Sequence, residues 1–331
     1  MRQRVSVIAT VLNEAGTIET LLRSLAEQTR PPDEVVIVDG GSTDGTLERL
    51  TRFAASGALP LCVLSRPGCN ISQGRNAAIG AAQGSIIVST DAGVRLSKTW
   101  LEELVRPFEE GRDVDVVSGF FLPETWSWFE LALAAVTLPR LGEIDPAKFW
   151  PSSRSVAFRR HAWEAVGGYP EWLDYCEDLL YDFSLRDAGF VFCFAPKAVA
   201  YFRPRPTLRA FFKQYYRYAR GDGKADFWRY RHLVRYATYL GAVPLLLALS
   251  VLHHPAWLLA LALGMAAMMR RPVRRLAPIL PQLAPHIALQ VLAWVPVQRW
   301  TGDIAKMLGY PSGVLWRRRY APTQPWAKRQ F

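Results

Sequence analysis

The sequence is poor in the residues that build disulfide frameworks and zinc sites. Its 331 residues include 4 cysteines and 5 histidines. No two cysteines form a Cys-x-x-Cys pair, and no histidine lies at metal-ligand spacing from them. The pattern favours reduced, buried thiols in a cytosolic domain over a disulfide-stabilised or zinc-stabilised fold.

Two glycine-rich signatures of nucleotide-binding proteins are also missing. The turn at residues 13–16 lacks the G-x-G-x-x-G pattern of dinucleotide sites, which argues against NAD. The turn at residues 39–46 has three glycines but no following lysine, so it is not a phosphate-binding P-loop. No signal-peptide pattern precedes the first strand, and we expect the amino-terminal domain to stay in the cytosol.

Acidic residues are outnumbered by basic ones. Lysine and arginine total 40 against 29 aspartate and glutamate, a net charge of +11. Such a chain suits nucleic acid, an anionic membrane or phosphorylated substrates. Because the arginines flank apolar runs, we expect membrane lipids and not nucleic acid as the partner, although a basic nucleic-acid-binding protein remains an alternative hypothesis.

What the first half does contain is a regular alternation of apolar runs and amphipathic segments. Ile18, Leu21, Leu22 and Leu25 share one helix face. Strands are predicted at residues 5–12, 34–38, 60–65 and 85–89, with helices at 18–25, 46–55, 71–83 and 98–110. This alternation predicts an α/β fold with a mainly parallel sheet and helices on both faces.

Polar turns follow two of the predicted strands. Asp39 and Asp44 surround three glycines, which exceeds what capping of the next helix needs, and Asp39 could accept hydrogen bonds from a base or ribose. The strand at 85–89 ends near Asp91, and the small residues after it leave room for a charged ligand and a metal. Ligands of open parallel sheets bind at this edge.

Five ordered motifs resemble the family 2 glycosyltransferases of GT-A fold, of the membrane-associated bacterial type. They are residues 5–14, 38–44, 74–78, 90–93 and 167–190. The similarity covers about residues 4–220. It implies sugar transfer with inversion from a nucleotide-sugar, with a UDP- or GDP-linked donor. The residues that the resemblance assigns to donor binding are Thr10, Asn13, Glu14, Asp39, Gly41, Asp44, Arg75 and Thr90.

The resemblance also implies a metal and a general base. Asp91 matches the first acid of the family's Asp-x-Asp motif, but Gly93 replaces the second. A single carboxylate with substrate phosphates can still hold Mg²⁺ or Mn²⁺. Asp178 matches the catalytic base and is favoured over Glu177. On the residues alone, both acids fit a helix start stabilised by the helix dipole.

Four further residues are predicted on the acceptor or diphosphate side. Trp150 and Arg154 lie in a polar, aromatic loop, and Gln214 and Arg217 resemble the Gln-x-x-Arg segment of processive family members. The competing interpretation of that segment is an interfacial amphipathic helix. The aromatic residues at 126–129 are expected in the core.

The carboxy-terminal third contains the apolar runs. Residues 236–252 and 256–269 are uncharged and flanked by arginines, which predicts a hairpin at about 236–269 with both ends on the cytosolic side. A third run at 276–297 has four prolines and is expected to be re-entrant or interfacial, because crossing would put Lys328 and Arg329 outside.

Together these features predict a glycosyltransferase domain at 1–222 and a membrane-associated helical region at 223–331. The catalytic domain is expected in the cytosol, at the cell's inner membrane. The acceptor is expected to be lipid-linked or a growing polysaccharide. A catalytically inactive membrane scaffold that retains the fold is the main alternative hypothesis.

Overall fold

The structure is a computed structural model that describes residues 3–320. Lys328 and Arg329, used in the membrane prediction, lie outside the described residues. The chain forms two compact units. The first comprises Met1–Glu124 and Leu141–Arg203, and the second Thr125–Arg140 and Pro204–Phe331.

The first unit is built on one eight-stranded sheet. The strands are β1 Val5–Val11, β2 Glu34–Asp39, β3 Leu61–Ser65, β4 Ile86–Ser89, β5 Val94–Leu96, β6 Val116–Pro123, β7 Val156–Arg159 and β8 Phe192–Phe202. Their order is β3-β2-β1-β4-β7-β6-β8-β5. Strands β1 to β4 pair in parallel, whereas β7 is antiparallel to both of its neighbours. The predicted mainly parallel α/β fold is confirmed, with an antiparallel part added.

Helices alternate with these strands and then continue alone. They are α1 Ile18–Ala26, α2 Thr46–Ala55, α3 Ile71–Ala81, α4 Trp100–Glu109, α5 Trp128–Thr137, α6 Arg160–Val166, α7 Glu177–Asp187, α8 Leu208–Ala225, α9 Arg229–Tyr236, α10 Val243–Leu252, α11 Trp257–Leu276 and α12 Pro285–Tyr320. A π-helical turn, Ala237–Ala242, joins α9 to α10. The domain boundary predicted after residue 222 falls inside α8, because α8 packs along α12 in the second unit.

The sheet of the first unit is buried on both faces. Val5, Val7 and Ala9 of β1 belong to one apolar cluster together with residues of α1 and α4. Ile8 belongs to a second cluster together with residues of α3 and α7. This alternation follows from the two-residue period of a strand. The polar turns at the carboxyl ends of β1, β2 and β4 therefore begin at a sheet that is held by apolar contacts on both faces.

In the second unit, small residues bring two helices into close contact. A Cβ atom on Gly309 would overlap the backbone of Tyr216, and one on Gly313 would overlap the carbonyl of Arg220. From residue 285, the predicted third apolar run continues without a break to Tyr320 in one helix, since α12 accommodates both Pro296 and Pro311.

By length and composition, one helical stretch among residues 3–320 could cross a membrane. It is Arg229–Leu252, and none of its most apolar window is buried. Leu240 and Val251 are 69% and 83% exposed. Helix α11 follows it and packs against α10, so the predicted hairpin corresponds to a pair of packed helices.

Candidate functional site

Two turns are tied together at the carboxyl ends of β1 and β2. The backbone N–H of Asn13 donates to Ser42 Oγ at 2.9 Å, and that of Ala15 donates to Asp44 Oδ2 at 3.0 Å. In return, Asn13 Oδ1 accepts from the N–H of Thr43 at 2.9 Å. Hydrogen bonds from Thr46 and Ala15 lower the pKa of Asp44. The turns therefore form one rigid polar rim at the sheet edge.

Asp39 organises the second of these turns from inside. Its carboxylate is fully buried, and it accepts from the N–H groups of Gly41 and Ser42 at 3.0 Å each. Ser42 Oγ donates to its other oxygen at 2.5 Å. Gly41 has a φ of +98°, a conformation that favours glycine. The predicted donor-site residues Asp39 and Gly41 thus shape the loop that presents Ser42 and Thr43.

A buried arginine bridges the two groups of acids that the sequence singled out. Arg75 on α3 is 3% exposed. Its Nη1 donates to Glu177 at 2.7 Å and its Nη2 to Asp91 at 3.1 Å. Burial opposes the charged guanidinium, but Glu177 and Asp91 outweigh it and raise the pKa of Arg75. Its Nε–H has no acceptor among the described residues.

Asp91 lies between two guanidinium groups. Besides Arg75, it faces Arg154, whose Nε is 3.4 Å from Asp91 Oδ2. Arg154 also lies over the Phe202 ring at 4.2 Å, and its carbonyl accepts from Thr90 Oγ1 at 3.1 Å. The structure thus brings Thr90, Asp91 and Arg154 together, and Asp91 remains 33% exposed.

The two acids that begin α7 have different surroundings. Glu177 is buried on Arg75, whereas Asp178 is partly exposed. Burial raises the pKa of Glu177 to about 7, and Asp178 adds to this while Arg75 opposes it. One turn further on, burial and Asp178 raise the pKa of Asp182. Asp178 is therefore the accessible carboxylate at this helix start.

Glu14 lies near the place where a second metal-binding acid would stand. A Cβ built on Gly93 would be 3.7 Å from Glu14 Oε2. The Thr17 hydroxyl donates to the same Glu14 oxygen. Among residues 3–320, no group of three or more His, Cys, Asp or Glu side chains is arranged to hold a metal ion.

The remaining predicted residues lie in three surroundings. Thr10 contacts α3 at Gly74, where a Cβ would overlap its methyl group. Trp150 packs edge-on against Phe183 with ring centroids 4.8 Å apart. Gln214 and Arg217 lie on α8 in the second unit, and Gln214 donates to the Tyr218 hydroxyl at 2.9 Å.

Sequence reasoning missed the aromatic support beneath Arg75. Tyr169 and Tyr181 are fully buried and stacked with centroids 4.2 Å apart, and Arg75 lies 5.3 Å from the Tyr169 ring centroid. The Tyr169 hydroxyl is 3.1 Å from Ser153 Oγ. The signal that could have revealed this support is the position of Tyr169 directly after Gly168, in the motif at residues 167–190.

An open cleft of about 840 Å³ lies beside α3. Arg66, Gln73, Asn76, Trp163 and Glu171 contribute to its walls. None of the predicted donor, acceptor or catalytic residues lines it. The acids that the sequence singled out meet at Arg75 and not in this cleft.

Family models match most of the chain. The model described as glycosyl transferase family 2 matches residues 6–157. The model described as glycosyl transferase family group 2 matches residues 86–294, which is more than half of the chain.

Individual proteins show the same relationship. The succinoglycan biosynthesis protein ExoA of Rhizobium meliloti (strain 1021) is 31% identical over 229 residues, covering 66% of this chain and 68% of the relative. An undecaprenyl-phosphate 4-deoxy-4-formamido-L-arabinose transferase of Serratia proteamaculans (strain 568) is 31% identical over 173 residues, covering 50% and 51%.

A solved structure has the same fold. The mannosyltransferase PcManGT from Pyrobaculum calidifontis, in complex with GDP-Man and Mn²⁺, superposes with a TM-score of 0.65. The match covers 93% of this chain and 88% of that one at 22% identity. The family models and the ExoA relative show that the chain belongs to the family 2 glycosyltransferases. It is a glycosyltransferase that uses a nucleotide-sugar donor.

Proposed function

We propose that the protein is an inverting glycosyltransferase that acts at the cytosolic face of a cell's inner membrane. It moves a sugar from a UDP- or GDP-linked donor to a hydroxyl of a lipid-linked or polysaccharide acceptor. The observation that carries the proposal is the Arg75 bridge from Asp91 to Glu177. This bridge connects the sheet edge, where ligands of such folds bind, to the helix start that carries Asp178.

Asp178 is the proposed general base. It takes the proton of the acceptor hydroxyl as that oxygen bonds to the anomeric carbon. The bond from the anomeric carbon to the diphosphate breaks, and its electron pair leaves with the nucleoside diphosphate. We favour Asp178 over Glu177 because Arg75 already holds a Glu177 oxygen at 2.7 Å, whereas Asp178 is partly exposed.

Arg75 and Arg154 are proposed to face the donor diphosphate. Charge developing on a leaving phosphate is stabilised best by cations that are already in position. Arg75 is held by two carboxylates, and the partly exposed Arg154 is held against the Phe202 ring. We assign the donor pocket to the residues around the paired turns: Thr10, Asn13, Glu14, Asp39, Gly41, Asp44 and Thr90.

A divalent cation, Mg²⁺ or Mn²⁺, fits the oxygen donors present. Asp91 is partly exposed, and Glu14 has a carboxylate oxygen beside the space above Gly93. Such ions accept one or two protein carboxylates together with substrate phosphates and water. When bound, the ion would neutralise charge on the leaving diphosphate. The Mn²⁺ named with PcManGT supports this choice.

The acceptor assignment rests on relatives and on the exposed apolar helix. ExoA is named for succinoglycan biosynthesis, and the Serratia relative for transfer to undecaprenyl-phosphate. The uncovered stretch Arg229–Leu252 supports a membrane location. Trp150, Gln214 and Arg217 are proposed to contribute to acceptor binding.

Nucleotide binding by the full-length protein tests the proposal. With Mn²⁺ present, we expect UDP or GDP to raise the melting temperature, since a ligand at about 100 times its Kd stabilises by about 2.7 kcal/mol. Sugar release from the matching nucleotide-sugar should follow. If no nucleotide shifts melting and no nucleotide-sugar is turned over, the inactive scaffold is the better description.

A further inference from the structure

Helix α3 holds the segment of the chain that leads into α7. Asn70, which caps α3, donates from Nδ2 to the carbonyl of Glu171 at 2.6 Å. Five residues further along the chain, Arg75 donates to Glu177, the first residue of α7. The same helix therefore contacts this segment both near its beginning and at its end.

Asn76 makes the most complete of these contacts. Its Nδ2 donates to the Tyr169 carbonyl at 2.9 Å and to Glu171 Oε1 at 3.0 Å. Its Oδ1 accepts from the backbone N–H of Tyr169 at 2.9 Å and from Trp163 Nε1 at 3.1 Å. Because both of the groups that face Oδ1 can only donate, the orientation of the amide is fixed. All four hydrogen-bonding positions of the side chain are then used.

Gly168 leaves the space that this amide occupies. A Cβ atom built on Gly168 would lie 2.7 Å from Asn76 Oδ1 and 2.8 Å from Trp163 Nε1. Gly168 also has a φ of +78°, which is strained for residues with a side chain. The turn before Tyr169 is therefore fitted to the Asn76 side chain, and a larger residue at position 168 would push the turn away from α3.

Between these contacts and α7 the backbone adopts an unfavourable conformation. Cys176, directly before Glu177, has a φ of +64° although it is not a glycine. Such a conformation persists where the surrounding contacts determine it. The ion pair of Glu177 with Arg75 holds the chain after Cys176, and the contacts at residues 169–171 hold it before. The start of α7, which includes Asp178, thus depends on α3 for its position.

We propose that Asn76 is a positioning residue that acts through Asp178. By holding the turn at Tyr169 against α3, it fixes where Asp178 lies relative to Arg75. Adjacent residues of one helix then carry the proposed contact to the donor diphosphate and the group that places the base. A reacting group displaced by about 1 Å can lose about 10²-fold in rate. The inference rests on the base role proposed above for Asp178 but not on the metal.

Isosteric variants of the full-length protein test this role. Asn76→Asp keeps the size of the side chain but places a carboxylate oxygen against the Tyr169 carbonyl, so the turn should leave α3. The matched control is Gln28→Glu. Gln28 is buried and makes three hydrogen bonds, which reach α1, α4 and the loop before α4. Both variants should lower the melting temperature, and only Asn76→Asp should affect α7.

Hydrogen exchange measured by mass spectrometry needs no substrate. In Asn76→Asp we expect peptides covering residues 169–180 to exchange about tenfold faster, because their anchor on α3 is lost. Gln28→Glu should accelerate exchange only around α1 and α4. Gly168→Ala displaces the same amide and should reproduce the effect of the Asn76 variant. Unchanged exchange of residues 169–180 in Asn76→Asp would overturn the proposal.

Turnover separates a positioning role from a merely structural one. The probes are UDP-glucose, UDP-galactose and GDP-mannose with Mn²⁺, and the readout is release of the nucleoside diphosphate. For a probe that is turned over, Asn76→Asp should lower kcat by about 10–100-fold. It should leave KM for the donor nearly unchanged, and Gln28→Glu should change neither constant.

A double-mutant cycle identifies the residue through which Asn76 acts. In the Asp178→Asn background, Asn76→Asp should have little further effect on kcat, because residues that act together are not additive. A loss of the same size in both backgrounds, or a loss confined to KM, would show that Asn76 does not act through Asp178.

Failure of this inference and failure of the base assignment are distinguishable. Full turnover in Asp178→Asn alone contradicts the base role, whatever the Asn76 variant does. Unchanged exchange of residues 169–180 in Asn76→Asp contradicts the hold on the segment, whatever is turned over. If Asn76→Asp does not fold, Asn76→Ala removes the same contacts without adding a charge, and it takes the place of Asn76→Asp in each measurement.

Discussion

Basic side chains are balanced in one compact unit and in excess in the other. In the first, Arg75 is buried between Glu177 and Asp91, each within 3.1 Å. In the second, Lys306 lies over the Tyr215 ring, and burial together with Arg235 and Arg299 lowers its pKa to about 8, while Asp303 and Asp222 oppose this. An arginine held by two carboxylates is a rigid, preorganised contact for a reaction.

The largest expected effect tests the catalytic side of this contrast. Asp178→Asn keeps the shape of the side chain but cannot accept a proton, so we expect transfer to fall by about 10²–10⁴-fold. Donor affinity, measured by calorimetry, should stay nearly constant. Glu177→Gln should reduce transfer far less. Retained turnover in the Asp178 variant, or a greater loss in the Glu177 variant, would remove Asp178 from the base role.

The next prediction concerns the buried bridge. Arg75→Met leaves Glu177 buried without its partner, which should cost about 3–5 kcal/mol of unfolding free energy in urea titrations. Arg95→Met breaks a pair whose side chains are 42% and 39% exposed, and it should cost at most about 1 kcal/mol.

Combining Arg75→Met with Glu177→Leu should restore most of the lost stability, because no unpaired charge then remains. Equal losses in the Arg75 and Arg95 single variants would show that the Arg75 bridge is not an energetically buried pair.

A smaller effect is expected where helices of the second unit touch. Gly313→Ala would push a methyl group against the Arg220 carbonyl, and we expect a loss of about 1–3 kcal/mol. Gly264→Ala adds the same group on α11, where nothing lies within 4 Å, and should gain up to about 1 kcal/mol. Thermal unfolding compares the two. Similar melting temperatures of the two variants would mean that α8 and α12 are not in close contact at Gly313.

The smallest expected effect tests the single-carboxylate metal site. Gly93→Asp restores the missing acid near Glu14, and in the presence of nucleotide we expect Mn²⁺ to bind roughly tenfold tighter, about 1.4 kcal/mol. Gly142→Asp, with nothing within 4 Å, is the control and should not change the affinity. Electron paramagnetic resonance of free Mn²⁺ measures both. Unchanged affinity in Gly93→Asp would place the ion elsewhere.

The amino-terminal half could be predicted closely because its signals are local. Alternating apolar runs located β1 to β4 and α1 to α4 to within a few residues. The antiparallel strand β7 could not be foreseen, since its pairing with β4 depends on contacts far apart in sequence. The expectation of a core position was wrong for Trp126 and Trp128, which are 71% and 42% exposed, because helical spacing does not reveal which face is covered.

The site was predictable as a set of residues but not as a set of contacts. The motifs singled out Arg75, Asp91 and Glu177, yet no sequence pattern shows that one guanidinium joins both acids. The sequence also does not show that the Asp39 carboxylate accepts hydrogen bonds from the backbone of its own turn, at Gly41 and Ser42. Such contacts depend on burial and side-chain direction, which only the folded chain fixes.

Gly74, immediately before Arg75, has a consequence for how donor preference can change. No larger residue fits there without displacing α3 from Thr10 of β1. This contact therefore fixes the distance between the sheet and the part of α3 that bears Arg75. Variants that accept a different sugar are therefore to be sought among the exposed residues of the neighbouring turns, such as Thr43, which lies outside the helices.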